Sequence, residues 1–477
     1  MARNQQTGTL KSGAIGTAGM VFAVIAMAAP LAATVSNAPL AVAFGDGVGA
    51  PGAWLLAACS LALFAVGFTA MSQRITNAGA FYAYVMEGLG RRAGVAAGYV
   101  ALVSYNALAL MIAGFFGYFA SAAVKTETGL DVNWVVIAVL GTVAAGLLAF
   151  RGVEASVRVL MLLLCVETAF LVLLNLAVLW HVGPHAYTWH AFRPSDVFAG
   201  SPGTGLAFAF SAFLGMEATA VFGEEARDAK RMVRRATYIA VLILTVLYTG
   251  SSWSAVAAFG EDGVVSAARS DPGGFVFTMA RTSLGDWSVH VLDLLVVTSM
   301  FAVLVAAHSS ASRYKFALAR SGFLPESLAR THGRFKTPYV AGLGQVLLTV
   351  AVVLIYALFH ADPLTQFAAT FVGLSALGVV CLEVAVSVSV VAFFWRKRPR
   401  LVGLWTSTVA PILATVTLGS AAVLIVVNFG LLTGSESRLI AMLPLVLVVA
   451  AVIGAIVGGR QERYRVTPHE TPTEADV

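Results

Sequence analysis

The chain has 477 residues, 59% of them hydrophobic and only 11% charged, with a mean hydropathy of +0.85. A soluble domain clothes its surface with about 25% charged residues, so this composition excludes a soluble globular protein and predicts an all-α polytopic membrane protein. The net charge of +6 follows the loops between apolar runs and does not form the basic face of a nucleic-acid binder.

A hydrocarbon core about 30 Å thick needs about 20 apolar residues per helical crossing. In chain order such runs fall near 18–43, 52–72, 94–122, 134–150, 157–180, 203–222, 237–259, 287–311, 338–359, 366–394, 405–428 and 439–458, which predicts twelve spans. The opening MARNQQTGTLKSG is polar, and the run after it is too long for a signal-peptide core. The predicted organisation is an N-terminal cytoplasmic segment (1–17), a transmembrane domain of twelve helices (18–460) and a cytoplasmic tail (461–477). With the N-terminus inside, every Lys and Arg except Lys125, Arg193, Arg269, Arg281 and Arg438 lies on the inner side. That asymmetry satisfies the positive-inside rule and predicts a multi-pass protein of the cytoplasmic membrane with both termini inside. Cys59, Cys165 and Cys381 fall within spans and read as small packing residues. No C-x-x-C or Cys/His cluster exists, so neither a metal nor a cofactor is expected.

Two spans are interrupted. Pro30 stands in the middle of VFAVIAMAAPLAATV, and Gly215 followed by Glu217 interrupts GTGLAFAFSAFLGMEATAVF. Proline removes a backbone donor and collides with the carbonyl four residues earlier, so the span pays no regular role for it unless the break itself is used. Gly/Pro interruptions at corresponding places in two halves mark transporter sites built from inverted repeats. A broken helix leaves amides at its new N-terminus and carbonyls at its new C-terminus that lipid cannot satisfy. The amides of Leu31, Ala32, Ala33 and Thr34 are therefore expected to face a carboxylate. The carbonyls around Ala28, Ala29, Phe213 and Leu214 are expected to face an ammonium. A simple proline kink, packed by the small residues of AMAAPLAAT, is the competing reading.

Residues 306–342, AAHSSASRYKFALARSGFLPESLARTHGRFKTPYVAG, closely resemble the amino acid, polyamine and organocation transporter superfamily. The matching positions are Ser312, Arg313, the ALARSGFLP run from Ala317 to Pro325, His332, Thr337 and Pro338. Chemically the run reads as a short basic amphipathic helix stopped by Gly322 and Pro325. NAGAFYAYVMEGLG (Asn77 to Gly90) is similar to the family's PxxGGxYxY, with Asn77 in the proline position. FLGMEATAVFGEEARDAKR is similar to its FxGxE and EExxxPxR, with Glu217, Glu224 and Glu225 matching and Ala229 replacing proline. The resemblance covers about residues 15–460 and implies a LeuT-like bundle of five plus five inverted spans, helices 1 and 6 broken, with two further spans. It departs from the family in two places. The family's span-one GxG is AAPLAAT here, and no lysine lies in a span, whereas Glu167 occupies about the place of the span-five lysine of some proton-coupled relatives.

Four carboxylates fall inside spans: Glu167, Glu217, Asp293 and Glu383. An ionisable group there is costly and functional by default. Glu167 is the preferred proton carrier, Glu383 the alternative, and Glu217 either holds the break or gates it. Asp293, near the span end and His290, is expected to reach water. His308 is expected to make a helix-end hydrogen bond. Phe210, Phe213, Tyr105 and Asn106 are candidate pocket residues, and Ser211 stands near a position where the family places a gating aromatic.

Enzyme chemistry finds no footing: H-E-x-x-H and G-x-x-x-x-G-K-[ST] are absent, and GLSA at Gly373 to Ala376 is followed by no histidine except His469 in the tail. A channel would need a ring of carbonyls or charges, and no loop supplies one. The reading is a secondary active transporter of an amino acid, proton-coupled, working by alternating access in the lipid bilayer. A polyamine importer or amine exchanger of the same fold is the alternative. The sequence neither names the cargo nor sets the number of subunits.

Overall fold

The computed structural model describes residues 17–75, 80–151, 157–216, 229–335, 337–397, 402–432 and 438–460. Among the described residues there is no strand. The helices are α1 (Thr17–Ala28), α2 (Pro30–Leu40), α3 (Ala50–Ser72), α4 (Ala80–Leu89), α5 (Arg91–Thr128), α6 (Trp134–Arg151), α7 (Val157–Val182) and α8 (Pro202–Ala212). They continue as α9 (Ala229–Phe259), α10 (Val264–Ser270), α11 (Phe275–Leu284), α12 (Trp287–Arg320), α13 (Tyr339–Leu358), α14 (Ala369–Lys397), α15 (Ala410–Val427) and α16 (Leu445–Arg460).

Nine described helical stretches are long and apolar enough to cross a membrane. The first, Val24–Ser72, contains the first two predicted spans, and Leu445–Arg460 is a shorter apolar helix at the twelfth. The sixth predicted span is described only through residue 216. Glu217 therefore lies outside the described residues, as do Asn77, Glu224 and Glu225.

Helices α5 and α14 run through the interior, whereas α6 and α13 form the rim. Leu140, Leu147, Leu347 and Leu354 on the rim helices are exposed. A chain surface so densely covered with alkyl groups is stable only against lipid. Between helices, where lipid offers no hydrophobic drive, close approach depends on small residues. Gly454 and Gly458 let α16 lie on α5, with space for a Cβ ending 2.7 Å from Ala96 Cα and 3.0 Å from Val95 Cβ.

Three sequence expectations change here. The basic run after residue 311 is not a separate amphipathic helix: α12 continues unbroken to Arg320, and the chain turns at Gly322 with φ 78°. All three cysteines are exposed and do not pack in the core. Asp293 is largely covered rather than open at the span end. It is 6% exposed, while His290 turns instead to Glu127, with Nδ1 2.5 Å from Oε1.

Candidate functional site

Pro30 begins α2, and the residue before a proline is pushed out of right-handed helix. Ala29 accordingly takes φ 43° and ψ 73°, a left-handed conformation that residues with a Cβ rarely adopt. The second break has a different cause. α8 ends at Ala212, the chain turns through 213–216, and Gly215 has φ 105°. A Cβ on Gly215 would come 2.8 Å from the Met27 Cβ, so only glycine allows this turn to lie against the end of α1. The two breaks touch.

The polar groups at the breaks are fewer than the sequence reading expected. Ala33 donates its amide to Ala29 O at 2.9 Å, and Thr34 lies in the second turn of α2. Of the four expected amides, Leu31 and Ala32 remain, since their helical acceptors would be Met27 and Ala28 across the break. Carbonyls are also occupied. Ala29 O accepts from Ala33, and Phe213 O accepts from the Met216 amide at 3.2 Å.

Tyr248, on α9, joins the breaks. Its hydroxyl lies 2.9 Å from Ala28 O and 2.9 Å from Ala212 O, the last carbonyls of α1 and α8. The ring is held between Trp54 and Phe213, with centroids 5.1 Å away in each case. A second bridge runs from Ser211 Oγ on α8 to Asn37 Oδ1 on α2 at 3.1 Å. Ser211 thus ties the two half-helices together at the place where an aromatic gate was anticipated.

A small cavity of about 40 Å³ adjoins the breaks. Met27, Ala28, Ala29, Ala32, Ala33, Ser36 and Asn37 form one wall, and Ser211, Ala212 and Leu214 another. The remaining walls are Leu108, Met111, Ile112 and Phe115 of α5 and Met300, Val303, Ala306 and Ala307 of α12. Among the described residues that line it, none is ionisable. Pro30, Leu31, Thr34, Phe210, Phe213 and Gly215 shape the breaks without lining the cavity. Tyr105 and Asn106 belong to neither group: Tyr105 stacks on Tyr314 at 4.5 Å, and Asn106 Nδ2 donates to Leu102 O of its own helix at 2.5 Å.

Glu167 on α7 stands directly behind the wall. It is 4% exposed, and Ser299 Oγ, next in sequence to the lining Met300, donates to its Oε2 at 2.8 Å. Glu383 is buried on α14 and does not line the cavity. His308 is also buried, but its Nε2 has no hydrogen-bond partner, so the expected helix-end bond at that atom is not made. Tyr248 and Asn37 escaped the sequence reading. A tyrosine in an otherwise apolar run was the available signal, since a buried phenol needs a partner.

Residues 13–455 match the family described as amino acid permease. The chain belongs to the amino acid permease family. The permease is 24% identical over 308 residues to the branched-chain amino acid permease BcaP of Bacillus subtilis, covering 60% of this chain and 63% of that one. It is likewise 24% identical over 306 residues to BcaP of Lactococcus lactis, covering 60% and 64%. The match thus spans less than two thirds of the length of either protein. An uncharacterized transporter of Mycobacterium tuberculosis is 28% identical over 324 residues, covering 66% and 68%. Among solved structures, the Eremococcus coleocola manganese transporter, in complex with an aromatic bis-isothiourea substituted compound, superposes with a TM-score of 0.55. It is 13% identical and covers 96% of this chain and 97% of that one, so the two share a fold.

Proposed function

We propose that this permease is a secondary active transporter that carries an amino acid with an aliphatic side chain across the cytoplasmic membrane. The observation that carries this reading is the cavity at the two breaks, which sets Ala32, at the start of α2, against walls of Leu108, Met111, Ile112, Met300 and Val303. Helix-terminal amides suit a carboxylate. Alkyl walls suit a branched side chain and reject a charged one, because a charge buried there has no partner. The same walls weigh against a polyamine, which would need lining carboxylates. The two BcaP relatives, both branched-chain amino acid permeases, agree with an aliphatic cargo.

In this reading the chain crosses the bilayer twelve times, with termini in the cytoplasm and two inverted five-helix repeats whose first helices are the broken ones. Alternating access moves the broken pair against the remaining helices, with Tyr248 holding the two halves in register. Glu167 carries the coupled proton, because its carboxyl lies behind the wall formed by α12 and is held by Ser299. Glu217 and Glu383 serve gating in the same scheme.

Proteoliposomes supply the test. Radiolabelled leucine should enter saturably, with competition from isoleucine and valine and none from lysine or putrescine. Saturable lysine or putrescine uptake without leucine uptake would overturn the cargo. An inside-alkaline gradient should drive accumulation, and Glu167→Gln should abolish that drive while leaving leucine binding. Uptake that requires internal amino acid and ignores the gradient would establish exchange instead.

A further inference from the structure

After α2 the chain continues through a wide π-helical turn, Ala41–Asp46. Asp46 is 4% exposed, and neither of its carboxyl oxygens has a hydrogen-bond partner. It packs on Gly205 in the first turn of α8, where a Cβ would end 2.7 Å from Asp46 Cγ. Amides at a helix start ordinarily hold a carboxylate. Here two of them turn elsewhere: Thr204 N and Gly205 N donate to Ser201 O at 2.9 and 3.1 Å. The Ser201 hydroxyl is also engaged, lying 2.7 Å from Thr204 Oγ1 and 3.1 Å from Asn428 Oδ1.

The same turn is covered by α10, whose Arg269 donates from Nε to Ala43 O at 2.8 Å. The turn also packs against α2, α3, α8 and the segments 47–49 and 429–432. Arg269 is the one acid or base, apart from the outward-facing thiol of Cys59, on these elements. It does not hydrogen-bond Asp46. Asp196 meets Gly49 nearby through its backbone. Among the described residues Asp46 is therefore enclosed with neither an ion-pair partner nor a hydrogen-bond donor, an arrangement that strongly disfavours an ionised carboxylate.

We propose that Asp46 is a proton-binding site of the outer gate, taking a proton from the external solution when α10 closes over the end of α2 and releasing it when that face opens. In the closed form the neutral carboxyl is buried against Gly205. In the open form water reaches it and the carboxylate is solvated. External acid therefore favours closure. This rests on the orientation proposed above and not on the identity of the cargo.

A substrate-free accessibility measurement tests it. In a background with Cys59, Cys165 and Cys381 replaced by serine, Val265→Cys places a thiol on α10 facing Gly47, which a Cβ at Gly47 would approach to 3.1 Å. A membrane-impermeant methanethiosulfonate is applied outside right-side-out vesicles, with rates divided by those of Leu130→Cys, an exposed loop position. The corrected rate should be about tenfold higher at pH 8.5 than at pH 6. With Asp46→Asn it should stay low at both pH values, and Asp46→Ala, read in the same way, covers poor production of the amide variant. An unchanged pH ratio in these variants, or no pH dependence with Asp46 present, overturns the proposal. Failure of Leu130→Cys to label from outside overturns it through the orientation. Leucine transport is not needed for any of these readings, so a different cargo leaves the result intact.

Discussion

Replacing Tyr248 by phenylalanine removes one oxygen and leaves the ring that Trp54 and Phe213 hold. The lost hydroxyl serves two carbonyls, Ala28 O and Ala212 O, each at 2.9 Å. A hydroxyl has one proton, so the bond forgone is a single shared one, worth about 1 kcal/mol net. Leaving buried acceptors without a donor adds about 1–3 kcal/mol. The lower part of that range applies, because a carbonyl tolerates under-satisfaction better than an amide and the adjoining cavity admits water. The expected loss is about 2 kcal/mol, read from equilibrium unfolding in detergent micelles. Leucine uptake should fall with it, since the hydroxyl joins the two broken helices at their facing ends, where the Ser211–Asn37 bridge does not reach. A Tyr248→Phe protein that unfolds within about 0.5 kcal/mol of the parent and transports normally would refute the bridging role.

Gly215→Ala should be more damaging than a surface change, because φ 105° and a 2.8 Å approach to Met27 Cβ both oppose a methyl group. A cost of about 1–3 kcal/mol is expected for the backbone alone, measured as loss of folded yield and of unfolding midpoint. Ala33→Leu would fill the cavity from the α2 wall, so leucine affinity should fall at least about tenfold while alanine binding falls less, by calorimetry on purified protein. Glu261, in the loop after α9, accepts from Thr188 and lies 3.1 Å from His190 Nδ1. Chiefly the Thr188 bond, and then His190, hold its carboxyl below the usual value of 4.5. A depressed carboxyl adds stability that is complete above that value and is lost as pH falls below it. Hydrogen exchange of segment 184–192, corrected for intrinsic rates, should therefore be flat from pH 7 to about 5 and rise in stronger acid.

The helix breaks were legible because Pro30 and Gly215 have backbone consequences that hold in any fold. The wall opposite them was not. Leu108, Met111, Ile112 and Phe115 are four among many apolar residues in a long helix, and nothing in an apolar run says which side meets a cavity and which meets a neighbour. Polarity drew attention to Tyr105 and Asn106, yet one is stacked on Tyr314 and the other donates its amide to a carbonyl of its own helix. Tyr248 illustrates the remaining difficulty, since its two acceptors lie 220 and 36 residues away in the chain. Asp293 failed for a related reason: distance from the end of a helix says little about burial when other helices cover that end.

The left-handed Ala29 deserves a mechanical reading. An L-residue held there stores about 1–2 kcal/mol relative to a relaxed helix, a factor of about 5–30 in population. A glycine hinge would bend without preference. This one is sprung, biased toward extended backbone whenever its surroundings release it, because Pro30 bars a right-handed helix there, and Ala29→Gly should slacken it.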